Sequence, residues 1–256
     1  MNNVIVVVPV YNEAKYLERV LRGIRSYAPD VLAIDDGSTD GSGALLDRVA
    51  PSMGVNVLRH PTNLGYGRSL RDGFAWAQAN GFDWTVTIDC DEQHEPAAIP
   101  RFIDALTTDS FDVISGSRYL DPDAMVDAPP PERRRVNMTI TAELNDRIAP
   151  LIGGPITDSF CGFKAVRTSA AAEMSLDEDG YAMPMQFWVR AAAARLRVGE
   201  IPVKLIYNDP SRTFGGELDD TARRLAHYRE VLHRELCRCA EQLPGPATSE
   251  LVVECR

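Results

Sequence analysis

The stretch Thr87-Ile88-Asp89-Cys90-Asp91-Glu92-Gln93-His94-Glu95-Pro96 places two carboxylates at i, i+2 directly behind a short apolar run. If that run is a β-strand, alternation of side chains puts Asp89 and Asp91 on one face, roughly 6–7 Å apart by strand rise. Such a pair suits one divalent cation. A hard ion such as Mg²⁺ takes one or two protein carboxylates and completes its shell with water and phosphate oxygens, so the pair outlines a nucleotide-diphosphate site. Taken alone, an ordinary acidic turn after a strand reads the same way, because Asp is a common turn residue.

The elements that would position this pair are legible in the first half of the chain. Strand and helix signals alternate over 4–10, 13–27, 31–35, 41–50, 55–59, 69–80, 84–89, 97–106 and 112–116. The strand segments are continuous apolar runs, which predicts burial on both faces and a mostly parallel sheet covered by helices on each side. Sheets of that kind bind ligands at the carboxyl ends of their strands. Tyr11-Asn12-Glu13, Asp35-Asp36-Gly37-Ser38 and Asp89-Cys90-Asp91 each follow a predicted strand, so all three converge on one edge.

Composition bounds the setting. The 256 residues, 45% hydrophobic and 25% charged, predict one large α/β domain or two tightly joined halves. A net charge of −10 argues against nucleic acid as a partner, since that binding relies on surplus Lys and Arg. The run 4–10 is too short for an export signal and no stretch approaches the roughly 20 apolar residues that span a bilayer, so the expected location is cytoplasmic. The five cysteines form no CxxC pair and no His-linked zinc spacing, which favours reduced thiols. Cys237 and Cys239, two apart on a predicted helix, do not face each other.

On Val8-Pro9-Val10-Tyr11-Asn12-Glu13, Ile34-Asp35-Asp36-Gly37-Ser38-Thr39-Asp40-Gly41, Asn63-Leu64-Gly65-Tyr66-Gly67 and the Asp89/Asp91 pair, the chain resembles the family-2 glycosyltransferases of GT-A fold. It looks most like their polyprenyl-phosphate (dolichol-phosphate) sugar synthases, whose paired aspartates followed by Gln-His and a proline appear as Asp89, Asp91, Gln93, His94 and Pro96. The motifs are specific over 4–119 and weaker beyond. The resemblance implies a single GT-A (Rossmann-like) domain over 1–242, with a nucleotide-sugar half at 1–119, an acceptor half at 120–242 and a loose tail at 243–256. It implies that Pro9, Tyr11, Glu13, Asp36, Gly65, Arg68 and Asp89 hold the donor, Asp36 reading the base. It implies Mg²⁺ or Mn²⁺ on Asp89 and Asp91, with Gln93 as a further oxygen ligand.

Several of these residues have a plainer use. Glu13 could complement a helix dipole. Gly65 and Gly67, with Arg68 at the following helix start, would let the backbone approach a phosphate, or simply form a turn and cap. An imidazole is a poor ligand for a hard cation, so His94 reads as an outer-shell or packing residue.

Beyond the sheet, 121–132 contains Asp121-Pro122-Asp123 and Pro129-Pro130-Pro131, which reads as a mobile loop over the active edge. Arg133-Arg134-Arg135 follows; like charge at a helix N-terminus is unfavourable, which favours a phosphate clamp over a solvated helix start. Arg118, in Gly116-Ser117-Arg118-Tyr119, matches a family motif that implies a phosphate-facing role. Asp158-Ser159-Phe160-Cys161-Gly162-Phe163-Lys164 resembles an acceptor-side Asp-x-x-Ser-Gly-Phe-Arg motif, with Cys161 for Ser and Lys164 for Arg. Lysine keeps the charge but loses the planar fork. Tyr181 and Gln186 match a Gly-Tyr and Gln helix start, a core aromatic being the alternative for Tyr181. Arg212 in Arg212-Thr213-Phe214-Gly215 matches Arg-x-x-Gly, but Glu217 and Leu218 stand where Ser-Lys would follow, and a solvated loop arginine is its alternative. Leu218, Ala222, Leu225, Val231, Leu232 and Leu236 predict an amphipathic helix over 217–242, packed on the domain or set against a membrane surface or partner. Pro244-Gly245-Pro246 ends it.

The implied activity is inverting transfer of a hexose from a nucleotide diphosphate sugar, GDP-mannose or UDP-glucose, to polyprenyl phosphate. Asp89, Asp91, Arg118, Asp158 and Arg212 are the candidate catalytic residues, and the lipid-phosphate acceptor suggests peripheral contact with the inner face of the membrane. A phosphate acceptor is already an anion and needs no general base; a hydroxyl acceptor needs one, and Asp158 is the first candidate. Transfer to a soluble sugar or other hydroxyl, and a non-catalytic nucleotide-sugar-binding module, are the alternatives.

Overall fold

A computed structural model describes residues 2–121, 129–207 and 216–249. Seven strands, β1 (Val4–Val10), β2 (Val31–Asp35), β3 (Asn56–Arg59), β4 (Trp84–Thr87), β5 (Val113–Ser117), β6 (Lys164–Arg167) and β7 (Val198–Pro202), form one sheet in the order β3-β2-β1-β4-β6-β5-β7. Pairing is parallel except at β6, which runs antiparallel to both β4 and β5. The α/β, mostly parallel architecture is as expected from the apolar runs.

Helices α1 (Leu17–Arg25), α2 (Ser42–Met53) and α4 (Ile99–Ala105) cover one face of the sheet, burying Leu17, Leu21, Ile24, Leu46 and Phe102 against β1, β2 and β4. α3 (Tyr66–Ala79) covers the other, where Ala77 meets Ile5, Val7, Leu32 and Ile34. The second half adds α5 (Pro131–Ile148), α6 (Thr168–Glu173), α7 (Met183–Ala193), α8 (Thr221–Arg238) and α9 (Gly245–Thr248), whose apolar faces form a separate cluster around Ile140, Leu144, Trp188, Val231 and Leu236.

Several boundaries differ from expectation. β3 is an edge strand and largely exposed, against the expectation of burial on both faces; its sequence, Asn-Val-Leu-Arg, is only half apolar. α1 starts at Leu17, not at residue 13, because Asn12 takes a positive φ of 57° and residues 13–16 form a turn in which the amides of Tyr16 and Leu17 donate to the Glu13 carbonyl. Pro131 opens α5, where its missing N–H leaves nothing unsatisfied, so the expected loop is shorter than 121–132; residues 122–128 of it lie outside the described residues. In α8 the buried stripe is Arg224, Tyr228, Val231, Leu232, Glu235 and Leu236, with Ala222 exposed, and it packs on α5 and α7. Of the expected loose tail at 243–256, residues 250–256 lie outside the described residues, and residues 243–249 pack on the domain. Pro244-Gly245-Pro246 ends no order: Leu243, Ala247 and Thr248 are buried, and Arg147 Nη1 donates to the Ser249 carbonyl at 2.7 Å. Cys90, Cys161 and Cys239 are free and buried, whereas Cys237 is disulfide-bonded, against the expectation of reduced thiols.

Candidate active site

The carboxyl ends of β1, β2 and β4 open onto a cavity of about 520 Å³ that continues beneath the helices of the second half. Pro9, Tyr11, Glu13, Asp36, Gly65, Asp89, Asp91, Gln93 and Arg118 all line it. β4 ends at Thr87, so strand alternation is not what brings the acidic pair together. The turn that follows does this: Glu92 sits at φ 61°, its carboxylate paired with Arg19, and Asp91 Oδ1 accepts the Gln93 amide at 3.0 Å. Asp89 Oδ1 accepts the Tyr66 hydroxyl at 3.0 Å, while Oδ2 lies against Gly162, where an added Cβ would stand 2.3 Å away. Burial, then the charge of Asp91, raises the Asp89 carboxyl above its ordinary range. Burial and Asp89 likewise raise the Tyr66 phenol well above its own, keeping it a hydrogen-bond donor.

Two carboxylates on one cavity wall, with the charge of Asp91 adding to the burial that raises Asp89, fit a hard divalent cation that shares its shell with a diphosphate. Among the described residues no three His, Cys, Asp or Glu side chains form a closed cage. His94 is buried against Phe163, ring centroids 5.6 Å apart, with Nε2 3.9 Å from Cys161 Sγ; it lines no part of the cavity and burial lowers its pKa. That position agrees with the packing reading.

The donor-side loops are locked to one another. Asn12 Oδ1 accepts the Thr39 amide at 2.8 Å and its own amide donates to Ser38 Oγ at 3.0 Å, fixing the turn that presents Tyr11 and Glu13. Glu13 is buried and precedes α1 by a full turn, which removes the helix-dipole alternative. Asp36 is also buried: Oδ1 accepts the Leu64 amide at 2.8 Å and faces His60 Nδ1 at 2.6 Å, and Oδ2 accepts the Gly65 amide at 2.9 Å. Most of its acceptor capacity therefore goes to holding the 63–65 turn.

Two expectations here need correction. Gly65 and Gly67 do bring backbone close to something, but it is protein: a Cβ on either would stand 2.3 Å from the carbonyl oxygen of Asp179 or Glu178. Arg68 does not reach the cavity, since its Nε donates to Asp72 at 2.8 Å and its amide to the Asp179 carbonyl at 3.1 Å.

Asp158 is corrected too. Its carboxylate is fully buried, lines no part of the cavity, and accepts Nε and Nη2 of Arg118 at 2.6 and 2.8 Å and the Arg118 amide at 3.1 Å. Burial pushes this carboxyl up, but the charge and hydrogen bonds of Arg118 bring it below its ordinary value, the opposite of what a general base needs. Asp158 thus holds Arg118, which itself lines the cavity. Lys164, the first residue of β6, is also buried in the cavity wall; its Nζ donates to the Cys161 carbonyl and lies 5.2 Å from the centroid of Trp188. Burial lowers its pKa.

Of the basic triplet, Arg133 lines the cavity and stacks over Tyr207 at 5.8 Å, whereas Arg134 and Arg135 are exposed on α5. Tyr181 lines the cavity and stacks on Tyr66 with centroids 6.0 Å apart. Gln186 is buried away from the cavity, where its Oε1 accepts the amides of Asp177 and Glu178 at 2.7 and 2.8 Å. Arg212 lies outside the described residues. Tyr66, Arg224 and Tyr228 are cavity residues that sequence reasoning missed. Only the polar Arg224 interrupting the apolar stripe of α8 could have signalled its position.

The model of a family described as "Glycosyl transferase family 2" matches residues 5–174. An undecaprenyl-phosphate mannosyltransferase of Micrococcus luteus is 32% identical over 221 residues, 83% of this chain and 88% of that protein. A polyprenol monophosphomannose synthase of Mycolicibacterium smegmatis is 31% identical, over 78% of this chain and 76% of that one. Among solved structures, glucosyl-3-phosphoglycerate synthase of Mycobacterium tuberculosis, in complex with Mg²⁺ and UDP, superimposes with a TM-score of 0.66 at 19% identity, covering 95% of this chain and 80% of that one. At that identity the likeness speaks for the fold, a GT-A fold with the same mixed sheet.

Proposed function

The chain belongs to glycosyl transferase family 2, and on that premise we propose that it transfers a hexose, with inversion, from a nucleotide diphosphate sugar to polyprenyl phosphate. One observation carries the choice of acceptor. Past the acidic pair, the cavity wall presents Arg118 from the end of the first half and, from the second, Arg133, Lys164 and Arg224 among Phe160, Met183, Phe187 and Tyr228, and among the described residues of this wall no carboxylate. Cations beside an apolar chamber suit an anionic amphiphile. A hydroxyl acceptor would need a base there, and Asp158, the nearest candidate, is bound to Arg118. Both relatives above carry names of mannosyl transfer to a polyprenyl phosphate, so GDP-mannose is the donor to try before UDP-glucose.

In this reading Tyr11, Glu13 and Asp36 receive the nucleoside, and Asp89 and Asp91 would hold the divalent cation, with Gln93 beside them. A cation bound there supplies charge neutralisation at the leaving diphosphate. Arg118, fixed by Asp158, adds preorganised positive charge near the phosphates at no cost of reorganisation during the reaction. The acceptor phosphate attacks as the anion it already is. Among the described residues no helix is long and apolar enough to cross a membrane.

The test is transfer in detergent with Mg²⁺ or Mn²⁺, offering GDP-mannose or UDP-glucose with a short-chain polyprenyl phosphate, the matching polyprenol and free sugars. Product on the phosphate and little on the others is expected. Efficient transfer to a hydroxyl with none to the phosphate overturns the acceptor assignment.

A further inference from the structure

We propose that Tyr66 is a positioning residue for the acidic pair: its hydroxyl fixes the rotation of the Asp89 carboxylate and thereby sets the affinity of the site for its divalent cation. The inference rests on the proposed function, because it concerns the cation that this function uses. Asp89 lies beyond the last residue of β4, so no ladder on both sides holds its backbone, and the terminal torsion of an aspartate is intrinsically broad. Two contacts narrow it. Oδ1 accepts the Tyr66 hydroxyl at 3.0 Å, and Oδ2 is seated against Gly162, in space that a Cβ there would enter to within 2.3 Å. Between a donor on one oxygen and bare backbone under the other, the carboxylate has one orientation.

The donor is itself preorganised. Tyr66 is the first residue of α3 and stands between Gly65 and Gly67, each pressed against a carbonyl oxygen of the 178–179 segment. Its ring stacks on Tyr181, 14° from parallel. The 177–181 segment is held in turn by Gln186, which accepts two of its amides, and by Arg68, whose amide donates to the Asp179 carbonyl. A strap from the second half of the chain thus places the hydroxyl that orients a carboxylate of the first half. Phenylalanine at 66 would preserve the ring, its stack and the helix start, and remove only the hydrogen bond.

Loss of a partner that orients a metal-binding side chain typically lowers metal affinity by about 10–100-fold. The experiment is a Mn²⁺ titration followed by electron paramagnetic resonance, in the presence of GDP or UDP, for the unsubstituted protein, Tyr66→Phe and Gly162→Ala, with thermal melts of each. Tyr66→Phe is expected to bind Mn²⁺ about tenfold more weakly at an unchanged melting midpoint. In transfer assays its half-saturating Mn²⁺ concentration should rise by the same factor while the rate at saturating Mn²⁺ changes little. Gly162→Ala, which displaces the same carboxylate from its other side, should also weaken Mn²⁺ binding. Equal Mn²⁺ affinity in Tyr66→Phe and the unsubstituted protein overturns the inference alone. No Mn²⁺ uptake by the unsubstituted protein with either nucleotide overturns it together with the metal role in the proposed function.

Discussion

Replacing Asp158 by Asn separates an aiming role from a proton-accepting one. The carboxylate is fully buried and holds Arg118, itself only 13% exposed, through two side-chain bonds of 2.6 and 2.8 Å. Asparagine keeps the shape and one acceptor oxygen but leaves a buried guanidinium facing a neutral amide. Removing one partner of a buried pair costs about 3–5 kcal/mol, and the retained oxygen places Asp158→Asn near the lower end. At about 2–4 °C per kcal/mol for a chain of this size, the melting midpoint should fall by roughly 6–12 °C. Replacing the pair together, Arg118→Met with Asp158→Leu, removes both buried charges and should restore most of the lost stability without restoring transfer. The pH dependence has a definite sign: the folded carboxyl is held below its ordinary value, so the pair's contribution is complete above about pH 4 and is lost as the pH falls through the lowered folded value. Thermal melts and initial transfer rates of the unsubstituted protein, Asp158→Asn and the double variant measure all of this. An unchanged midpoint in Asp158→Asn refutes the buried-pair reasoning. A stable Asp158→Asn that loses only the acid limb of its pH–rate profile returns Asp158 to the role of base.

Asp91→Ala should abolish transfer with an unaltered circular dichroism spectrum, and chelation should do so reversibly; full activity in excess chelator removes the metal from the mechanism. Asp112, gripped by Arg197 through bonds of 2.8 and 2.9 Å and by Arg167, has its carboxyl drawn down from 3.8 to about 2. Its contribution is therefore present above about pH 4 and lost as the pH falls through about 2, so Asp112→Asn should lower the midpoint at neutral pH and converge with the unsubstituted protein below pH 2.

The sheet was legible where its physics is local. β1, β2 and β4 are apolar runs ending in polar turns, and those turns do meet at one cavity. β3 departs from the expectation of strands buried on both faces because Asn56-Val57-Leu58-Arg59 is only half apolar, and its polar residues suit the exposed edge it occupies. Asp89 and Asp91 do line the cavity, but not by the expected route, since strand alternation stops at Thr87 and a left-handed Glu92 shapes the turn that follows. Gly65 and Gly67 could be seen to need closeness, but their neighbour, the 178–179 backbone, lies far along the chain. Asp158 fails for the same reason. Nothing in its own segment reveals that Arg118 already claims both its oxygens. Tyr66 could be quoted within a motif, yet only tertiary geometry connects its hydroxyl to Asp89.

By sequence β6 belongs to the second half of the chain, and by pairing it belongs to the first, where it joins β4 to β5. Thr87 lies opposite Lys164 in that pairing, and Thr87 Oγ1 also donates to the Gly162 carbonyl at 2.6 Å, so the strand carries an acceptor-side cation and the Asp89 seat together. A cut near residue 119 would leave the first fragment with three newly open ladder edges, one on β4 and two on β5, and would leave β6 and β7 of the second without the strands they pair with. Under the proposed function, donor and acceptor recognition would therefore not be exchangeable modules. Chimeras that graft a foreign C-terminal half must import β6 with its loop and match it to a resident β4. Under the same proposal, new acceptor preferences would be reached one wall residue at a time, on α5, α7 and α8, with the shared strand left in place.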